Sequence, residues 1–212
     1  MLFVSRKRLL WALTLVLLFA GGLLLIQPKT ELDSAQLAKA GIILLPQTRT
    51  LPDAALGTAD GRHFGADFFK GKWTMVLFGY TFCPDICPTA FSELRRIRAA
   101  LPVELRDRLG ATLVSVDPAR DTYERLQQYV TYFDPSFTGM AGEMEETQKI
   151  SGLMGLPFIP GDTSKEHYTV DHSGHLGLID PLGRQVGYVR GPLREAELIE
   201  VLPVLLRLEA LP

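Results

Sequence analysis

Two cysteines and a cluster of histidines are the residues of this chain whose types and spacing could do chemistry. Cys83 and Cys87 are the only cysteines in 212 residues, and both lie in LFGYTFCPDICPTAF, Leu77 to Phe91. Three residues separate them, one more than in a C-x-x-C redox pair. Such a pair is open to three chemistries: dithiol redox exchange, metal binding, or a structural disulfide. Cβ atoms four residues apart on a helix are roughly 5–6 Å apart, whereas a disulfide needs about 3.5–4.5 Å. A disulfide therefore needs a loosened turn, which Pro84 and Pro88 would permit. A metal held at about 2.3 Å from each sulfur tolerates the wider separation. The spacing leans toward a metal and leaves the other two readings standing.

Two thiolates rarely complete a metal site. Of the four histidines, three fall within HYTVDHSGH: His167, His172 and His175. A Cys-Cys-His set suits a soft or borderline ion, Cu(I), Cu(II) or Zn. A structural zinc takes a fourth ligand, and there is no third cysteine. A three-coordinate, open site fits a metal that is handed on. His172, in the turn VDHSG, is the foremost candidate, with Asp171 beside it to orient the ring. His175 begins a strand and is the second candidate. His167 reads as exposed, and His63, after DGR, as a surface residue. Met140 and Met144 could share a helix face and ligate Cu(I), although methionine more often fills core space.

The elements that must position these residues are visible around them. WTMVLFG, Trp73 to Gly79, is an uninterrupted apolar run, as expected of a strand buried on both faces. Ile86, Ala90, Leu94, Ile97 and Leu101 then recur at helical spacing, with Glu93, Arg95, Arg96 and Arg98 largely off that stripe. A helix is predicted over 86–101, with Asp85 as N-cap and Pro88 in the first turn. Its dipole favours thiolates at the cysteines. ATLVSVD, 111–117, predicts a second buried strand, followed by helices near 122–132 and 144–153. HLGLID and QVGYVR flank the turn DPLGR as an antiparallel hairpin, Asp60-Gly61 marks another, and a helix over 195–208 closes the chain. This order predicts an α/β, three-layer, thioredoxin-like fold with a mixed sheet. The cysteines then sit at the C-terminal end of a strand, where open sheets build sites. The loop before His175 should approach them.

Composition narrows the function. The chain is 47% hydrophobic and 22% charged, with 22 basic and 24 acidic residues. Residues 1–26 contain Arg6, Lys7, Arg8 and no acid, which leaves 19 basic against 24 acidic, about −5, for the rest. That balance offers no broad basic surface for nucleic acid. Leu9 to Ile26 is an uncharged run of 18 residues, about 27 Å as a helix, close to the thickness of a bilayer's hydrocarbon core. The expected organisation is a cytoplasmic segment over 1–8, a transmembrane anchor over 9–26, a polar tether over 27–42, and a thioredoxin-like domain over 43–212. The alternative for the run is a cleaved signal peptide, whose apolar region is shorter, roughly 7–15 residues, with a small-residue cleavage site close behind. The basic residues ahead of the run place the N-terminus inside. With no Arg/Ser-rich presequence, the location expected is a bacterial inner membrane with the domain in the periplasm, where disulfides persist.

Taken together, FGYTFCPDICP (78–88), SVDPARDTYERLQQYV (115–130), FDPSFTGMAG (133–142) and YTVDHSGHLGLIDPLGR (168–184) resemble the SCO/SenC family of copper-binding, membrane-anchored, thioredoxin-like proteins. The resemblance covers most of residues 43–205. It implies a copper metallochaperone that helps assemble cytochrome c oxidase by delivering Cu(I) or Cu(II) to the subunit carrying CuA. Other copper chaperones or thiol reductases would be its further partners. Cys83, Cys87 and His172 match the family's copper ligands, with a Cys83–Cys87 disulfide in the oxidised form. His175 departs from the family pattern, where an apolar or small residue is more usual. Asp117, Arg120 and Asp121 match a stretch near the site, although they could equally cap the helix that follows. Some family members are thiol-disulfide oxidoreductases that reduce the oxidase's cysteines or act in redox signalling, with Cys83 attacking and Cys87 resolving. A peroxidase on the same fold draws no support from the paired prolines or the D-H-S segment.

Overall fold

A computed structural model describes residues 33–210. The span expected over 9–26 lies outside them, and none of the described helices is long and apolar enough to cross a membrane. In chain order the elements are α1 (Ser34–Lys39), β1 (Ile42–Thr50), β2 (Ala54–Gly57), β3 (His63–Phe64), α2 (Ala66–Phe69), β4 (Trp73–Gly79), α3 (Ile86–Ala100), α4 (Val103–Arg106) and β5 (Leu109–Ser115). They continue as α5 (Tyr123–Phe133), β6 (Thr138–Gly142), α6 (Met144–Leu153), β7 (Phe158–Ile159), β8 (Asp171–His172), β9 (Leu176–Ile179), β10 (Arg184–Val189) and α7 (Glu195–Leu205).

Eight strands form one mixed sheet in the order β1-β10-β9-β4-β5-β6-β2-β3. β4, β5 and β6 run parallel, and β9 is antiparallel to β4. Every residue of β4 and of β5 is buried. Seven consecutive buried residues in a strand require cover on both faces of the sheet, which accounts for the two unbroken apolar runs. α3 packs against both α5 and α7. The aromatic core around Phe91 includes edge contacts to Tyr129 and Phe137, and the indole N–H of Trp73 donates to the Leu208 carbonyl at 3.0 Å. The hairpin DPLGR closes on Asp180, whose carboxylate accepts from the backbone N–H of Leu182 and of Arg184. Gly183 in that turn has φ +77 and lies against the Ala66 backbone, so a side chain there would be both strained and obstructed.

Several expectations are corrected. Residues from Asp33 onward are not an open tether: α1 is capped by the Asp33 carboxylate and packs on β1 and α7. The hairpin expected at Asp60-Gly61 is present as β2–β3 at one edge of the sheet, and β1, not singled out from the sequence, forms the other edge. Glu93, expected off the buried stripe, is buried and accepts from the Leu193 N–H at 3.0 Å, so a carboxylate ties α3 to the turn before α7. Met140 lies in β6 and Met144 opens α6, so they share no helix face. The cap of α5 is Thr122, whose hydroxyl accepts from Arg125 N. That frees Asp117 and Asp121 for other contacts.

Candidate metal centre

β4 ends at Gly79, and the chain turns through Tyr80 to Asp85 before α3 begins at Ile86. Asp85 occupies the N-cap position without capping: its carboxylate accepts no backbone N–H. The Cys83 sulfur takes one of the amides left open at the helix start instead, lying 3.5 Å from Cys87 N. One short helix entry thus aims both cysteines the same way. Gly79 makes the room, because a Cβ there would collide with the Cys87 sulfur. The glycine at the end of the apolar run is therefore a requirement of the site as well as of the strand.

The third group arrives from far along the chain. His172 Nε2 lies 3.4 Å from Cys83 Sγ and 3.6 Å from Cys87 Sγ. His172 Nδ1 is 3.1 Å from the Ser173 carbonyl oxygen, which can only accept, so this hydrogen bond keeps a proton on Nδ1. In the neutral ring Nε2 then carries the lone pair, directed at the sulfurs. The carbonyl of Ser173 does the orienting expected of Asp171, which is exposed. The ring of Tyr80 stands edge-on to the imidazole at 5.7 Å.

The donor set can be tested against a metal. Bonds of about 2.3 Å to sulfur and about 2.0 Å to nitrogen, meeting at about 105–115°, separate the two donors by about 3.4–3.6 Å. The two observed sulfur–nitrogen separations fall in that range. All three donor atoms lie within 4.8 Å of one another, and no further His, Cys, Asp or Glu joins them among the described residues. The set fits a soft ion with an open position. Cys83 is 8% exposed and Cys87 is fully buried, and the two sulfurs are not bonded to each other.

The thiols differ in acidity. A hydrogen bond from Cys87 holds Cys83 well below the ordinary thiol range against the cost of burial, with help from the Cys87 and Asp85 amides. The same hydrogen bond, then burial and the charge on Cys83, push Cys87 far up. The metal-free pair is accordingly one thiolate and one thiol.

Around the pair lies a polar support that the sequence only partly signalled. Buried Asp121 accepts from Thr81 N at 3.2 Å, Thr81 Oγ1 at 2.6 Å and Ser115 Oγ at 2.7 Å, which locks the loop just before Cys83 to the end of β5. Asp117 accepts from Arg120 and from the Tyr168 hydroxyl. Asp117, Arg120 and Asp121 were legible as a motif, whereas Gly79, Tyr80 and Tyr168 were not singled out. Tyr80 and Tyr168 stand inside the quoted segments, but nothing in a linear pattern says that two tyrosines 88 residues apart flank one site. The remaining histidines stay apart: His63 and His167 are exposed, and exposed His175 accepts from Gly191 N through Nδ1 at 3.3 Å.

Comparison with known proteins agrees with this geometry. The SCO1/SenC family profile matches residues 47–207. A Stutzerimonas stutzeri protein provisionally named copper-binding is 41% identical over 180 residues, 84% of this chain and 88% of its own length. Among solved structures, apo Sco1 from Thermus thermophilus is 29% identical, with TM-score 0.67 over 79% of this chain and 96% of that one. Copper-bound ScoI from Bradyrhizobium japonicum is also 29% identical, with TM-score 0.62 over 73% and 99%.

Proposed function

The chain belongs to the SCO1/SenC family, and on that premise we propose that it is a copper metallochaperone serving the assembly of cytochrome c oxidase, with Cys83, Cys87 and His172 as its copper ligands and the CuA-bearing subunit as acceptor. The observation that carries this reading is the convergence of two sulfurs and one imidazole nitrogen at metal-ligand separations. Copper is the cargo. Thiolates and an imidazole suit both Cu(I) and Cu(II). The chain's part is to hold three donors in place, leave a coordination position open to a ligand of the acceptor, and let go by stepwise exchange. Cys87 is buried and His172 is half-buried, so exchange begins at the histidine side. Loading requires both cysteines reduced and deprotonated.

A second reading is favoured by one observation, the unequal thiols. An acidic Cys83 beside a protonated Cys87 is the arrangement of an attacking and a resolving thiol. In that reading the protein reduces the cysteines of the oxidase's copper site. One experiment separates the two. The full-length protein is reduced and loaded with copper, and metal stoichiometry and ligand spectra are compared among wild type, Cys83→Ala, Cys87→Ala and His172→Ala. The chaperone reading expects one copper in wild type and loss of tight binding in each variant. Stoichiometric tight binding by Cys83→Ala would sink the ligand assignment. Oxidase assembly supported in cells by a copper-free His172→Ala would favour the reductase.

A further inference from the structure

His172 is not placed by the main sheet. It lies on β8, two residues long, which pairs only with the two residues of β7, Phe158 opposite His172 and Ile159 opposite Asp171. The stretch 160–170 leading into it has no helix or strand. So short an isolated pair is marginal by itself, yet the imidazole stands within 3.6 Å of both sulfurs. Something else must hold this segment against the ends of β4 and β5.

Four side chains make that connection. The Tyr80 hydroxyl, from the residue after β4, accepts from Val170 N at 3.2 Å, two residues before the histidine, and its ring edge meets the imidazole. Tyr80 is 1% exposed, so without that hydroxyl the buried Val170 amide would lose the partner the structure gives it. From the loop after β5, Arg120 donates Nη2 to the Tyr168 carbonyl at 3.1 Å and lays its guanidinium 3.6 Å from the centre of the Tyr168 ring. Asp117 closes the arrangement. It accepts from the Tyr168 hydroxyl with one oxygen and from Arg120 Nε with the other, both at 2.5 Å. All of these bonds tie residues 168–170 to the scaffold that carries the cysteines. None reaches a sulfur.

We propose that Tyr80, with Asp117, Arg120 and Tyr168, is a clamp that positions His172 as the third copper ligand. These are positioning residues: they act through the histidine and touch no metal. The inference rests on the Cys83, Cys87 and His172 assignment above. Loss of the Tyr80 hydroxyl should release the histidine side of the site and leave the dithiolate side intact. Loss of a hydrogen bond one step removed from a metal ligand typically weakens metal binding by about 10–100-fold.

The test uses the full-length protein with Tyr80→Phe, which keeps the ring and removes only the hydroxyl, and Tyr168→Phe beside it. Three quantities are read: exchange of the Val170 amide by NMR in the metal-free protein, imidazole nitrogen coupling in the EPR spectrum of the Cu(II)-loaded protein, and copper affinity. The clamp expects faster Val170 exchange, weakened or heterogeneous nitrogen coupling with thiolate-to-copper charge transfer retained, and affinity lower by about 10–100-fold. It also expects Tyr80→Phe to change affinity little once His172→Ala is present, because the two act on one ligand. A full further loss in that background would show that Tyr80 supports the fold or the cysteines instead, and would overturn the proposal. Wild-type coupling and affinity in Tyr80→Phe would overturn it too. Absence of nitrogen coupling in the wild type would overturn the ligand assignment itself, and the clamp with it. If Tyr80→Phe fails to fold, Tyr168→Phe gives the same readouts on the opposite side of the clamp and decides in the same way.

Discussion

At the scale of single residues, the site depends on an asymmetry between two like groups. Cys83 collects the hydrogen bonds available at the start of α3, and Cys87 lies buried behind it against Gly79. The hydrogen bond from Cys87 makes Cys83 the more acidic thiol and Cys87 the less acidic one. Binding of one copper by both sulfurs at neutral pH must then expel one proton, from Cys87, because Cys83 is already a thiolate. Affinity should rise about tenfold per pH unit around neutrality for a single coupled proton. Calorimetry of copper loading in buffers of different ionisation enthalpy measures the number directly. One proton is expected. A value of two would mean that Cys83 is a thiol in the metal-free protein.

At the scale of elements, the cysteine loop is held by its neighbour across the sheet. Asp121 sits beyond the end of β5, and its carboxylate takes Thr81 N, Thr81 Oγ1 and Ser115 Oγ. Asp121→Ala strands these donors in a buried place, and should cost about 1–3 kcal/mol in urea unfolding. Burial raises the carboxyl above its ordinary 3.8 more than the hydrogen bonds from Thr81 and Ser115 lower it. With the folded value above the unfolded one, the folded protein binds the proton more tightly. The corresponding stability is present below 3.8 and is lost as pH rises through the folded value. Asp121→Asn should therefore flatten the fall of stability with pH in the window that opens at 3.8, as read from unfolding curves at stepped pH. The same scale explains why some readings of the elements were right and others not. The buried runs at β4 and β5 and the 3.6-residue stripe of α3 declare themselves because burial on two faces or on one face leaves a periodic trace. β7 and β8 are two residues each, too short for any period, and Pro46 interrupts the apolar run of β1, which extends from Ile42 to Thr50 as an edge strand, where proline is tolerated.

At the scale of the whole molecule, the N-terminal sequence bears on which side of a membrane the folded unit faces. The uncharged run Leu9–Ile26, with Arg6, Lys7 and Arg8 before it, is the feature that argues for an anchor with the domain outside the cytoplasm. A C-terminal reporter that is active only in the periplasm should be active on this chain, and alkaline extraction should leave the protein in the membrane pellet. Moving the positive charge, with Arg6, Lys7 and Arg8 changed to Ser and basic residues added after Ile26, should reduce the reporter signal severalfold. An unchanged signal from that variant would remove the basis for the orientation.

What the sequence determined by itself was chemical type and local order. The only two thiols, their four-residue spacing, the apolar strand ahead of them and the amphipathic helix behind them are local properties, and local properties leave a record in the order of residues. The choice of His172 over His175 or His167 was not of that kind. It rested on a turn position and a resemblance until the fold brought one imidazole to two sulfurs and turned another toward Gly191. Only the tertiary structure decided that a sulfur caps α3 in place of Asp85, that Glu93 is buried, and that two tyrosines, an arginine and an aspartate hold a two-residue strand over the cysteine loop. Contacts between groups tens of residues apart depend on how strands cross the sheet, and that crossing is set by the summed burial of the whole chain, which no short segment encodes.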